Sequence, residues 1–124
     1  MKQAVLLNSA AKPAGPYSHA VIANGFIFVS GQGPADPNTG KVSENFEDQV
    51  RQVFENLKLI LEGCGASLDD IVKVNAYLSE LTNFQRFNLI YSSIFSKGYP
   101  ARTTIAVGLN DILVEIDCIA ILKE

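Results

Sequence analysis

Two different periods of apolar residues run along this chain, and each predicts one kind of secondary structure. Between Glu44 and Glu62 apolar side chains recur every three or four residues, which predicts an amphipathic helix that ends at Gly63. A second stripe of this kind follows Thr82-Asn83-Phe84-Gln85, whose spacing fits a capping box, and it stops at Gly98. The pattern therefore predicts two helices.

Short apolar runs and alternating patterns predict strands in the rest of the chain. Asn24-Gly25 is the strongest short turn signal, and it predicts a hairpin between the second and third strands. Asn110-Asp111 takes the same position between the last two strands. The predicted strands are Ala4 to Leu7, Ser18 to Ala23, Phe26 to Ser30, Ile71 to Leu78, Arg102 to Leu109 and Leu113 to Leu122.

The order of these elements predicts an α+β fold in which a single mixed β-sheet carries two helices packed on one face. Residues 1–124 are expected to form a single domain, since the chain contains no linker, repeat or low-complexity tract. The other sheet face then carries Tyr17, Ile105, Val107 or their neighbours, according to register. An apolar face of this kind on a small domain predicts burial against further copies of the chain.

Charge and cysteine content exclude several classes of partner. The net charge is −3, the sequence isoelectric point is near 5.1 and the ten basic residues are scattered, so no nucleic acid partner is expected. No apolar run approaches the roughly 18 residues of a membrane span, and we expect a cytoplasmic protein without membrane contact. Cys64 and Cys118 match no metal-binding spacing and are expected to be buried free thiols.

Polar side chains on the last two predicted strands form the most suggestive chemical pattern. If Asn110-Asp111 is a two-residue turn, alternation places four of them on one face: Arg102, Thr104, Glu115 and Asp117. An arginine fork binds a carboxylate bidentately, and a glutamate beside it would direct a water at the captured molecule. The solvated polar face of an ordinary hairpin explains the same pattern, so the residues alone leave both interpretations open.

Three further residues stand out by type or position. Asn88 interrupts the apolar stripe of the second helix, where it either bonds a loop carbonyl or positions a loop beside a pocket. Ser30 precedes Gly31-Gln32-Gly33, whose free backbone N–H groups would receive an anion, although a lone Gly-x-Gly is a weak signal. His19 is the only histidine and its neighbour Ser18 points to the opposite strand face, so we assign His19 a structural role. This excludes a Ser–His–Asp hydrolase and a zinc hydrolase.

Blocks of sequence spread along nearly the whole chain share a pattern with one protein family. They are Gly15-Pro16-Tyr17-Ser18, Phe28-Val29-Ser30-Gly31-Gln32, Asp70-Ile71-Val72-Lys73-Val74, Asn88-x-x-Tyr91, Pro100-Ala101-Arg102 and Val114-Glu115-Ile116-Asp117-Cys118-Ile119-Ala120. Together they closely resemble the Rid family (YjgF/YER057c type), and within it the RidA-like imine deaminases. The resemblance implies a chorismate-mutase-like fold and a homotrimer whose sheets form a central barrel, with three sites in the clefts between subunits. It also implies hydrolysis of 2-iminobutanoate and 2-iminopropanoate to 2-oxo acids and ammonia, with neither a metal nor an organic cofactor.

The resemblance also implies roles for single residues. Arg102 matches the arginine that binds the substrate carboxylate, and Glu115 matches the acid that positions the attacking water. Thr104 stands where many members have a cysteine, and Gly33 replaces a bulkier apolar residue, which is expected to widen the pocket. The remaining positions that match substrate-binding residues are Tyr17, Ser30, Gly31, Asn88 and Thr104.

Two other functions stay open beside the deaminase. A non-catalytic binding or regulatory protein for 2-oxo acids or other small carboxylates would keep Arg102 without requiring Glu115. An RNA-cleaving inhibitor of translation is a role assigned to members of this family. The acidic isoelectric point, the absence of a basic stripe and the single histidine weigh against it.

Overall fold

The computed structural model describes residues 1–123, in which six strands form one sheet in the order β1-β2-β3-β6-β4-β5. The strands are β1 (Gln3–Val5), β2 (Ala20–Ala23), β3 (Phe26–Gln32), β4 (Ile71–Leu78), β5 (Ala101–Ala106) and β6 (Val114–Ile121); the helices are α1 (Phe46–Gly63) and α2 (Phe84–Ile94). β4 and β5 are parallel and all the other pairs are antiparallel. This confirms the predicted α+β fold with a single mixed sheet and two helices.

Helix α1 begins and ends where local chemistry favours it. Asn45 is its N-cap, and the side-chain oxygen of this residue accepts a hydrogen bond of 3.0 Å from the backbone N–H of Asp48. After the helix, Gly65 adopts a φ of 88°, which a residue without a Cβ tolerates best. The buried stripe of the helix packs on β3 and β6, so this face of the sheet forms the core.

Helix α2 begins differently from the prediction. Thr82 lies in a short 3-10 turn, Leu81–Asn83, and Asn83 becomes the N-cap without a capping hydrogen bond from its side chain. The Asn83 side-chain oxygen instead accepts a hydrogen bond of 2.9 Å from the guanidinium of Arg86. The predicted capping box at Thr82 is therefore wrong, because the extra turn moves the helix start one residue along the chain.

The hairpin of β2 and β3 is confirmed, whereas the predicted hairpin of the last two strands is wrong. Asn24 and Gly25 have φ values of 57° and 79°, the left-handed pair that a tight hairpin turn requires. β5 and β6 are not neighbours, because β4 lies between them and pairs with both. Strands two positions apart are separated by about 10 Å, which a two-residue turn does not span. The connection runs over residues 107–113, with Asp111 at a φ of 61°.

Within residues 1–123, no helix covers the second face of the sheet, which is partly apolar. The cross-strand pairs Phe26–Ile121 and Phe28–Ile119 lie on it, and Ile105 of the edge strand β5 is exposed there, as one register predicted. We call this surface the open face. Its polar centre is formed by side chains of β4 and β6. Apolar residues left uncovered on a small domain favour association with another surface.

Two further expectations concern membrane-spanning segments and the two cysteines. Within residues 1–123, no helix combines the length and the apolar character that a membrane span requires. Cys64 and Cys118 are both free thiols, but only Cys118 is fully buried, while Cys64 is half-buried. Burial raises the pKa of the Cys118 thiol to about 12, so this group stays protonated at neutral pH.

Candidate functional site

Arg102 and Glu115 lie on opposite faces of the sheet. Arg102 pairs with Val74, whose side chain is buried in the core beneath the helices. Glu115 pairs with Tyr77, whose side chain lies on the open face. Because Val74 and Tyr77 are three residues apart on one strand, their side chains and those of their partners point to opposite sides. The predicted common face for the arginine and the glutamate is therefore wrong within one chain.

The arginine side of the site is built on α2. One terminal nitrogen of Arg102 donates a hydrogen bond of 2.7 Å to the side-chain oxygen of Asn88. The guanidinium carbon lies 4.6 Å from the centre of the Tyr91 ring, 5.3 Å from Phe87 and 5.7 Å from Phe84. Stacking on aromatic rings fixes the plane of the fork at low desolvation cost. Asn88 thus bonds the arginine itself, rather than a loop carbonyl.

No carboxylate of residues 1–123 pairs with Arg102, although four other ion pairs form in this part of the chain. Two hydroxyl groups nearby also lack partners in the described part of the chain: Tyr91 Oη and Thr104 Oγ1 are buried without a hydrogen bond. Burial raises the pKa of Tyr91 to about 12, against an opposing effect of the Arg102 charge. The arginine side therefore offers a cation and unused hydroxyl groups to polar atoms of a ligand.

The glutamate side of the site is a cavity of about 450 Å³ on the open face, formed where β3 bulges away from β6. Val29 pairs with Cys118 and Gln32 with Ile116, so Ser30 and Gly31 together face the single residue between those partners, Asp117. The cavity lining comprises Tyr17, Val29, Ser30, Gly31, Glu115 and Asp117. The bulge thus gathers four of the predicted site residues, Tyr17, Ser30, Gly31 and Glu115, in one place.

Glu115 rests directly on the backbone of Gly31. A Cβ atom at position 31 would lie 2.5 Å from Glu115 Oε2 and 3.2 Å from its carboxyl carbon, so a side chain there would displace this carboxylate. The Ser30 hydroxyl donates to the backbone oxygen of Ser18 at 2.7 Å, which fixes the other side of the bulge. Tyr17 is nearly half exposed, and its ring borders the cavity from the loop before β2.

Two neighbouring carboxylates in this cavity have different surroundings. Asp117 Oδ1 accepts a hydrogen bond from Asn75 Nδ2 and Asp117 Oδ2 accepts one from Tyr77 Oη, both of 2.8 Å. Glu115 pairs with no cation of residues 1–123. Burial, and secondarily the negative charge of Asp117, raise the pKa of Glu115. Glu115 is therefore the carboxylate that is free to exchange protons.

Replacing Asp117 by asparagine is expected to lower the pKa of Glu115, because removing a neighbouring negative charge favours the ionised form. The measurement is the carboxyl ¹³C shift of Glu115 followed against pH by NMR. Asp69→Asn serves as a matched control, since Asp69 is exposed and lies in the turn before β4. An unchanged Glu115 titration in Asp117→Asn would show that Asp117 does not act on Glu115.

Asn75 and Tyr77 also belong to the site, although neither was predicted from the sequence. Both lie on the polar side of β4, where alternation with buried Val74, Ala76 and Leu78 is visible in the sequence. That alternation indicated a polar face but not that β6 lies alongside it. Among residues 1–123, no group of three or more His, Cys, Asp or Glu side chains is placed to hold a metal ion.

His19 fixes the loop that leads to Tyr17. Its buried ring accepts a hydrogen bond of 3.0 Å from the backbone N–H of Leu7 at Nδ1, so Nε2 carries the proton and donates to the carbonyl of Ala11 at 2.7 Å. Both ring nitrogens are therefore occupied by backbone groups. This agrees with the structural role predicted for His19.

Known proteins are similar to this chain in sequence and in fold. The Endoribonuclease L-PSP family matches residues 7–122. A RutC family protein of Pyrococcus horikoshii is 43% identical over 123 residues, covering 97% of this chain and 98% of the relative, and the putative regulator AldR of Lactococcus lactis is 39% identical, covering 89% and 90%. The crystal structure of RidA from an Antarctic Psychrobacter superposes with a TM-score of 0.91 at 38% identity, covering 97% of this chain and 99% of that one. The chain is therefore a member of the Rid family, to which the sequence blocks had pointed.

Proposed function

We propose that this protein hydrolyses 2-imino acids, such as 2-iminobutanoate and 2-iminopropanoate, to 2-oxo acids and ammonia. The observation that carries the proposal is the state of Arg102, whose guanidinium is oriented by Asn88 and Tyr91 yet pairs with no carboxylate of residues 1–123. A fork held in this way is suited to the carboxylate that every 2-imino acid carries. Arg102 would anchor that carboxylate and so fix the distance to the imine carbon.

The proposed site lies between subunits. Arg102 and Glu115 are on opposite faces of one sheet, so a molecule that touches both must meet them on two different chains. β5 is an edge strand, and the open face beside Glu115 carries uncovered Phe26, Phe28 and Ile121. Both surfaces favour contact with other copies. Family resemblance supplies the order: a homotrimer whose open faces surround a central barrel and whose three clefts are the sites.

Glu115 would handle the protons of the reaction. It takes a proton from water as the water oxygen attacks the carbon of the protonated imine, which gives a neutral tetrahedral aminoalcohol. Glu115 passes this proton to the nitrogen, which leaves as ammonia while the carbon–oxygen double bond forms. The carboxylate then takes the hydroxyl proton and transfers it to the departing ammonia, which restores the ionised Glu115. Burial raises the pKa of Glu115 above the usual carboxyl value, which suits a group that both accepts and donates a proton. These proton transfers need no metal or organic cofactor.

A coupled assay tests the proposal. An amino-acid oxidase produces imines from several amino acids in turn, and release of the 2-oxo acid is followed with and without the protein. We expect the protein to accelerate release from small aliphatic imines. If release is unchanged for every amino acid supplied, the deaminase proposal is wrong.

Replacing Gly31 by alanine is expected to lower imine hydrolysis roughly 100-fold, because the new methyl group displaces the Glu115 carboxylate by about an ångström. The displaced atoms are the end of a flexible side chain, so the Tm should change little. Gly108→Ala is the matched control, since nothing lies within 4 Å of a Cβ there. Full activity in Gly31→Ala would contradict the proposed role of Glu115.

A second candidate is a sensor that binds 2-oxo acids without turnover. One relative, which is named a putative regulator, favours this candidate. So does the arrangement of Arg102, because Asn88 orients its guanidinium without any contribution from Glu115. RNA cleavage, which the family description names, is disfavoured because the cavity holds two carboxylates, Glu115 and Asp117, that repel phosphate. We expect highly purified protein to leave RNA intact.

A further inference from the structure

A second cavity, of about 240 Å³, adjoins the Glu115 cavity and shares Tyr17, Gly31 and Glu115 with it. We call it the side pocket. Its remaining lining is formed mostly by small or apolar residues: Pro13, Ala14, Gly33, Ala35 and Ile112. A cavity of roughly 150 Å³ is already large enough to hold benzene, so the side pocket has room for a branched aliphatic group.

The polar side chains in the wall of the side pocket are mostly engaged elsewhere. His19 bonds two backbone groups, and Gln32 donates its side-chain amide to the backbone oxygens of Ser30 and Gly31 at 3.3 and 3.2 Å. Lys12 is the one cationic residue of the lining, and it is exposed to solvent. The pocket therefore offers a ligand mainly apolar contact.

Two buried amides of α1 hold the walls in place. Asn56 Nδ2 donates hydrogen bonds to the backbone oxygens of Gly33 and Ala35, at 3.0 and 2.8 Å. Gln49 Oε1 accepts from the backbone N–H of Leu113, which follows Ile112, at 2.9 Å. These bonds fix the backbone on both sides of the pocket, so its width depends on the side chains at positions 33 and 112.

We propose that the side pocket receives the side chain of the 2-imino acid, and that Gly33 and Ile112 set its size limit. This inference rests on the proposed function and extends its substrate class to 2-imino acids with branched aliphatic side chains of three or four carbons. A Cβ at position 33 would meet Ile112 Cδ1 at 3.4 Å, so even a small side chain there begins to close the pocket. The backbone at Gly33 is not left-handed, so larger residues fit it without strain.

The test compares long and short substrates in the same variant. Gly33→Val should lower kcat/KM for the imine derived from leucine by at least about tenfold relative to the imine derived from alanine. Ile112→Ala should shift the ratio in the opposite direction. Gly108→Val is the matched control, since it adds the same side chain where nothing lies within 4 Å of the Cβ. Should Gly33→Val fail to fold, Gly33→Ala and Ile112→Ala provide the comparison.

Several results would overturn the inference. An unchanged ratio in both Gly33 and Ile112 variants would show that the side chain binds elsewhere. A preference of the unaltered protein for imines of glutamate or aspartate, abolished in Lys12→Ala, would assign the pocket to a second carboxylate. If no imine is hydrolysed at all, the proposed function fails, but calorimetry still tests the pocket. In that case 4-methyl-2-oxopentanoate should bind Gly33→Val more weakly than the unaltered protein, with pyruvate affected less.

Discussion

Replacing Arg102 by alanine is expected to lower kcat/KM for imine hydrolysis roughly 10²- to 10⁴-fold, because two charge-assisted hydrogen bonds to the substrate carboxylate are lost. The fold and the proposed trimer should persist, since the Arg102 side chain bonds the Asn88 side chain of its own chain and pairs with no carboxylate of residues 1–123. The readouts are coupled 2-oxo acid release, Tm and the sedimentation coefficient. Arg102→Lys should recover only part of the rate, because an ammonium keeps the charge but not the planar fork.

Arg51→Ala is the control for Arg102→Ala. Arg51 is exposed and forms an ordinary ion pair of 3.3 Å with Asp48 one helical turn away, so its loss should change neither activity nor assembly. Near-normal turnover in Arg102→Ala would remove the anchor from the proposed mechanism. Loss of the proposed trimer in the same variant would instead show that Arg102 acts in assembly.

Replacing Glu115 by glutamine is the second change with a large expected effect. Glutamine keeps the size of the side chain but neither takes nor returns a proton, so turnover should fall roughly 10²- to 10⁴-fold. Binding of a 2-oxo acid should persist, since the proposed anchor for its carboxylate, Arg102, is unchanged. Turnover by the coupled assay and affinity by calorimetry are measured on the same preparation.

This pair of measurements separates the enzyme from the sensor. Lost turnover with retained binding supports catalysis by Glu115, whereas turnover equal to that of the unaltered protein would contradict it. Glu44→Gln is a suitable control, because this substitution removes the same charge from an exposed residue just before α1. It should leave both quantities unchanged.

Local sequence signals predicted the individual strands and helices of this fold better than they predicted which strands lie side by side. The Asn24-Gly25 turn and the stripe of α1 depend on residues close in sequence, and both were confirmed. The position of β4 between β5 and β6 depends on contacts between distant segments. Alternation shows which residues of one strand share a face, but it does not show which strand lies alongside. For that reason Arg102 and Glu115 were assigned to one face in error.

In the candidate site, too, single residues were predicted better than the geometry that brings them together. The family resemblance pointed to Tyr17, Ser30, Gly31 and Glu115, and the structure gathers them in one cavity. The bulge that brings them together has only one weak signal in the sequence, Gly31 inside the strand, because a bulge is a mismatch between β3 and β6 rather than a property of either strand. The buried Asn56 and Gln49 do carry a signal, since each is a polar residue on an otherwise apolar helical stripe.

Because Arg102 and Glu115 lie on opposite faces of the sheet, defective chains that carry different substitutions would complement one another in the proposed trimer. Each chain lends its arginine to one cleft and its glutamate to the next, so a chain lacking only one of these residues disables one cleft and still completes another. Chains with different lesions can therefore restore an intact cleft between them. A cell that carries two complementary defective copies would retain some activity that neither copy provides alone.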